Sequence, residues 1–153
     1  MKITDFLDVE MVISNLRGGD KGSVLREMAE WMASQDHSLE ARGLLEILLE
    51  RERVSSTAIG DGVAIPHGKM AGVQRVRAVF ARSLQGVDFA SLDGKPTFLF
   101  FLLIAPENSP GDHLKALARI SRLLKDGGFR QRLMEAKTRE KLFDTIKKED
   151  DRL

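Results

Sequence analysis

The side chains in this sequence best suited to chemistry gather in two short segments. His67 stands in Ile65-Pro66-His67-Gly68-Lys69, and His113 in Gly111-Asp112-His113-Leu114. Pro66 fixes its own φ and biases Ile65 toward an extended backbone, so the side chain that follows is aimed reproducibly. Gly68 would let another molecule approach the backbone closely, and Lys69 adds a positive charge. An unperturbed imidazole has a pKa of about 6.5, so near neutral pH a neutral fraction can act as a nucleophile, and imidazole can accept a phosphoryl group and release it again. Ser109-Pro110-Gly111-Asp112 reads as a helix start, with Ser as N-cap and Pro at the first helical position. His113 would then be the fourth residue of a helix, near unpaired N–H groups that favour anions. Arg51 and Arg53 carry the planar guanidinium that binds phosphate best, and Ser55, Ser56 and Thr57 could donate hydroxyl bonds to phosphate oxygens. Taken singly, each has a plainer account: a solvent-facing loop histidine, a first-turn surface histidine, a solvated arginine at a helix end, and hydroxyls that satisfy a turn. His37, in the polar connection Gln35-Asp36-His37-Ser38, reads as exposed and uninvolved.

The frame around these residues is bounded by composition. The chain has 153 residues, with 24 Lys+Arg against 23 Asp+Glu, 42% hydrophobic and 31% charged. That predicts a single domain, residues 1–153, with one core, and excludes a disordered or collagen-like chain. The net charge of +1 gives no overall attraction to nucleic acid or anionic membranes. With no cysteine, a disulfide framework, thiolate zinc ligation and a Cys nucleophile are excluded, and a reducing cytoplasm is the expected location. The N-terminus lacks the apolar stretch of a signal peptide. The longest apolar run, Phe98 to Pro106, is about half of the roughly 18 residues that a spanning helix needs. Charge is unevenly placed: residues 1–50 hold 5 basic and 10 acidic side chains, residues 51–95 hold 7 and 4.

The elements that must position the histidines follow from periodicity. Val24, Leu25, Met28, Ala29, Trp31 and Met32 recur at helical steps between Ser23 and Gln35. A second helix is predicted after Ser38 as N-cap, with Leu45, Leu48 and Leu49 inward, ending near Arg53. Residues 54–68 read as turn, brief strand and loop. Alternation over 75–83 predicts a strand whose wetter face holds Arg75, Arg77 and Val79. Asp93-Gly94 marks a turn. Residues 97–105, apolar on both faces, predict a central strand covered by helices on both sides. The helix from Pro110 should reach about Lys125 with Leu114, Leu117, Ile120 and Leu124 inward, stopped by Gly127-Gly128. Two shorter helices should bear Phe129 and Leu133, then Leu142, Phe143 and Ile146, and the tail from about residue 147 should be solvated and frayed.

One stretch joins these signals. From Glu52 the sequence runs an acid, six residues, Ile59-Gly60, two residues, then Val63-Ala64-Ile65-Pro66-His67-Gly68. It resembles the phosphorylation-site signature of the fructose/mannitol-type enzyme IIA domains of the bacterial phosphotransferase system. The resemblance covers nearly the whole chain, through Arg51-Glu52, Ser56-Thr57 and a second histidine, His113, that opens a later helix. The Ile-Pro-His-Gly-Lys and His-Leu-x-x-Leu wording is most similar to the nitrogen-regulatory enzyme IIA proteins. Ala58 stands where many members have Gly.

The resemblance implies an α/β fold, a three-layer α/β/α sandwich around a mixed sheet. It implies that His67 is the phosphorylated residue, that His113 and Arg51 help hold the phosphoryl group, and that Ser56, Thr57 and Gly68 assist. The implied donor is a histidine phosphocarrier protein charged ultimately from phosphoenolpyruvate. The implied role is a regulatory one, exerted through partners such as potassium-transport or sensor proteins. The alternative is a sugar-specific component that passes phosphate to a fructose or mannitol permease subunit. Val63, Ile65, Met70 and Val73 are candidates for the apolar part of a docking surface. No cofactor or metal is expected, since the spacing of His67, His113, Asp61 and Asp112 matches no ligand pattern.

Overall fold

A computed structural model describes all residues, 1–153. In chain order it holds β1 (Val12–Ile13), α1 (Lys21–Gln35), α2 (Ala41–Val54), β2 (Ala58–Gly60), β3 (Val63–Ala64), β4 (His67–Met70), β5 (Arg77–Val87), β6 (Thr97–Pro106), α3 (Pro110–Leu124), α4 (Gly127–Glu135) and α5 (Arg139–Asp151). The six strands form one mixed sheet in the order β1-β5-β6-β3-β2, with β4 continuing beside β6 beyond β3. β6 pairs antiparallel with β5 and parallel with β3 and β4. Helices α1 and α2 pack together against β5 and β4, and α3, α4 and α5 form a second group against β6 and β1.

The all-apolar run of β6 is explained by that sandwich: Leu99 to Ala105 are each 2% exposed or less, so both faces are dry. Phe80 meets Phe101 edge-on at 5.0 Å, and Phe89 meets Phe100 at 5.3 Å. Such pairs add about 0.5–1.5 kcal/mol each beyond their buried area. β5 is drier than its alternation suggests. Val79 is fully buried, and the Arg82 guanidinium lies inside, donating to the carbonyls of Ser14, Leu133 and Ala136. Those carbonyls, two of them near the end of α4, satisfy the buried cation without a carboxylate.

Several boundaries move from their sequence expectations for identifiable reasons. Ser38 does not cap α2: its backbone and hydroxyl both donate to Asp36, and Glu40 takes the N-cap position. The buried face of α2 is Leu44, Leu48 and Glu52, so Leu49 points outward. Gly127 and Gly128 open α4 rather than close α3, because the Asp126 carboxylate accepts from Gly128 N–H and Phe129 N–H as an N-cap.

The expected frayed tail is instead the last turns of α5. Asp150 is 1% exposed, accepts from Ile3 N–H at 2.8 Å and from Arg119 Nε at 2.6 Å, and so ties the C-terminal helix to the N-terminus and to α3. Glu149 is likewise buried, between Arg132 and Arg152. A charge run reads as solvated only if nothing in the fold offers counter-charges, and here three arginines do.

Candidate functional site

His67 is the first residue of β4, aligned with Leu103 of β6. Successive side chains on a strand point to opposite faces. Gly68 turns its missing side chain toward α2, where a Cβ would stand 2.5 Å from Ile47 Cγ2. His67 therefore turns away from Ile47, toward the side where α3 brings His113. The close neighbour that Gly68 admits is thus this chain's own helix, not an incoming molecule.

The two imidazoles meet edge to face, with centroids 5.4 Å apart and planes at 76°. His67 Nδ1 lies 2.7 Å from the Ile65 carbonyl oxygen. A carbonyl can only accept, so Nδ1 carries the hydrogen and Nε2 keeps its lone pair free. Burial holds the His67 pKa below its usual value of 6.5; the Ile65 carbonyl opposes that shift, the Arg51 charge adds to it, and Glu52 opposes it. Burial also lowers His113, helped by the positive charges that His67 and Lys69 can carry nearby. Both rings are accordingly neutral at pH 7, the state in which imidazole is a nucleophile.

His113 is on the buried face of α3, 6% exposed, as position four after the Ser109 cap. Its Nδ1 is buried with no partner, which carries the desolvation cost of an unmet hydrogen bond. The inward set is His113, Ala116, Ile120, Leu123 and Leu124. Leu114, expected inward, is 66% exposed beside the site.

Arg51, on the last turn of α2, donates from Nη1 to the Ser55 carbonyl at 3.0 Å, which leaves the rest of its fork free. Ser56 and Thr57 are committed elsewhere. Ser56 Oγ donates to the Phe89 carbonyl and accepts from Ala58 N–H. Thr57 is 4% exposed, and both its N–H and its hydroxyl donate to Glu52. They shape the loop between α2 and β2 rather than present free donors. Val63 and Ile65, offered as docking residues, are 2% and 6% exposed and belong to the core. Met70 and Val73 are half-buried against it.

Sequence reasoning passed over Glu52 as a structural hub. Its carboxylate is buried, takes both Thr57 bonds, and pairs with Lys21 Nζ at 3.0 Å, while Lys21 caps the Phe89 ring at 4.8 Å. The signal was available: Leu44, Leu48 and Glu52 recur at four-residue steps. The turn Gly60-Asp61-Gly62 has φ values of 109°, 57° and 75°, so the glycines of the motif are needed to reverse the chain between β2 and β3. Ala58, by contrast, is an ordinary buried strand residue.

His67 is half-buried and lies outside five surface cavities of about 240 to 760 Å³. No group of three or more His, Cys, Asp or Glu side chains is arranged to hold a metal. No helix is long and apolar enough to cross a membrane.

A mixed six-stranded sheet between helical layers, with a half-buried and a buried imidazole edge to face where β4 meets α3, defines an α/β protein of the enzyme IIA type. Residues 5–149 match the family model described as phosphoenolpyruvate-dependent sugar phosphotransferase system, EIIA 2, and the chain belongs to that family. It is a component of a phosphotransferase system by that membership. The chain is 40% identical to a nitrogen regulatory protein of Bradyrhizobium diazoefficiens over 146 residues, 95% of each chain. It is 38% identical to a fructose-specific EIIABC component of Bacillus subtilis over 150 residues, which is 98% of this chain and 24% of that protein. The fold superposes on a crystal structure of the nitrogen regulatory protein IIA-Ntr from Neisseria meningitidis with a TM-score of 0.88 and 32% identity, covering 94% of this chain and 98% of that one.

Proposed function

We propose that this protein is a nitrogen-regulatory enzyme IIA that accepts a phosphoryl group on His67 Nε2 from a histidine phosphocarrier protein and signals through its phosphorylation state. The observation that carries this reading is the Ile65 carbonyl on His67 Nδ1, which leaves Nε2 as the one nitrogen able to attack. In the transfer, the Nε2 lone pair forms the new N–P bond while the donor's N–P bond breaks, its electron pair returning to the donor imidazole. Catalysis here is mostly positioning and charge stabilisation. In this reading Arg51 and His113 hold the transferred oxygens, a role supported by the Arg51 charge acting on His67 and by the edge-to-face contact of the two rings. An added 1.5 to 2 negative charges, roughly, beside Arg51 and Lys69 would change which partners fit, potassium-transport or sensor proteins among them.

The test is incubation with a phosphocarrier, its enzyme I and phosphoenolpyruvate, followed by intact-mass measurement. The expected result is one acid-labile phosphoryl group, absent when His67→Gln is used. A stable adduct, or one that survives that substitution, overturns the reading. The likeness to the fructose-specific EIIABC component favours a second reading, in which the phosphoryl group passes to a sugar permease subunit. Loss of the phosphoryl group to such a subunit in step with sugar entry would select it.

A further inference from the structure

A groove of about 760 Å³ opens where the chain leaves β1 and enters α1, and its walls carry Arg17, Arg26, Arg139 and the indole of Trp31. The chain's arginine ion pairs engage Arg42, Arg53, Arg77, Arg119, Arg132 and Arg152, none of which lines this groove. Of the acids lining it, Glu27 accepts from Arg17 N–H through both oxygens and from Gly18 N–H. Glu30, exposed on the rim, is the one other acid there and is without an ion pair. Three guanidiniums thus share this hollow with Glu27 and Glu30 and none of them is in an ion pair, although Arg26 is close enough to Asp20 to add its charge to the Ser23 hydrogen bonds that lower the Asp20 pKa.

Arg139 is the most telling of the three. Its guanidinium lies 5.1 Å over the Trp31 ring, and its Nε is buried with no hydrogen-bond partner. Trp31 is itself fixed by its Nε1 donating to the Glu10 carbonyl at 2.7 Å. A buried, unpaired donor on a cation is costly to maintain, and stacking keeps it oriented. Arginine forks grip phosphate bidentately. The cavity is within the range of about 300–1,000 Å³ that holds small-molecule ligands, and far larger than one phosphate needs.

The site is separate from His67. Ile13 at the end of β1 is aligned with Ala81, and Ala81 with Phe100, whereas His67 is aligned with Leu103. That is about 14 Å across the sheet and about 10 Å along it. We propose that this groove binds a small metabolite bearing two or more phosphate groups, at a site independent of the phosphotransfer surface.

Trp31 is the only tryptophan in the chain, so its emission reports on this groove directly. Inorganic tripolyphosphate, which does not absorb near 295 nm, is titrated into the full-length protein at low salt, with adenosine as an uncharged control. The expected result is a saturable change in emission with tripolyphosphate and none with adenosine. By calorimetry, Arg17→Ala and Arg139→Gln should each weaken binding about tenfold, as loss of one charge-assisted contact does. Arg17→Ala should leave phosphoryl acceptance at His67 at the parent rate. No saturation, equal affinity in the variants, or binding by adenosine alone would each overturn the assignment.

Discussion

Gly68 and Ile47 leave no room for a side chain between strand and helix: a Cβ at position 68 would come to 2.5 Å from Ile47 Cγ2 and 3.7 Å from Ile104 Cδ1. Ile47 and Arg51 are four apart on α2 and share one of its faces, and Gly68 follows His67 directly. The contact therefore sets the distance from the arginine to the imidazole.

Gly68→Ala should cost about 1–3 kcal/mol, the range for overpacking, and should slow phosphoryl acceptance by pushing the end of α2 outward. Adding Ile47→Ala removes the colliding methyl and should restore much of the rate. Urea unfolding with a phosphorelay assay checks both. A single variant as stable and as fast as the parent would show that strand and helix are not in fixed register.

Arg51→Ala should reduce phosphoryl acceptance by about 10²-fold, the usual effect of deleting one donor to a developing anion, while leaving thermal stability nearly unchanged because its one internal bond is to the exposed Ser55. His113→Gln should give a loss of similar size. A parent-like rate in either variant removes that residue from the site.

Both histidines have lowered pKa values in the folded protein. Between 6.5 and those lower values the unfolded chain holds more protons than the native one. Stability from this source is therefore complete above pH 6.5 and is lost as pH falls through the folded values. Unfolding midpoints should drop between pH 7 and pH 5 more in the parent than in His113→Gln. The acceptance rate should be flat above pH 7. Arg51→Ala should raise the His67 pKa, measured by NMR titration of the ring, since the guanidinium is one of the groups that depress it.

Asp150→Ala should cost about 3 kcal/mol, as removing one member of a buried pair does. It leaves Arg119 Nε and the Ile3 N–H without the carboxylate that receives them, while Arg119 Nη2 keeps its bond to the backbone carbonyl of residue 150. A loss below about 1 kcal/mol by chemical denaturation would mean that the C-terminal helix is held by its apolar face alone.

The sheet core, α1 and the start of α3 were legible because their signals are local: a run apolar on both faces, a helical repeat, a Ser-Pro start. The phase of α3 was not. Leu117, Ile120 and Leu124 fit an inward stripe that includes either Leu114 or His113, and only the neighbour across the gap, His67, decides that the histidine goes in. The same dependence on distant partners hid the burial of Arg82 and Asp150, whose counter-groups lie 51 and 147 residues away. For the candidate site, the residue types at 51, 67 and 113 were readable, but the engagement of Thr57 by Glu52 was not, since a hydroxyl in a loop looks the same whether free or bonded.

The Ile65 carbonyl on Nδ1 has an outcome for timing. On the proposed role, one ring nitrogen is open, on one side of the molecule. Giver and taker of the phosphoryl group must then dock in turn on overlapping ground, and an excess of either would compete with the other, so the traffic through His67 would respond to the ratio of its two visitors as much as to the amount of each.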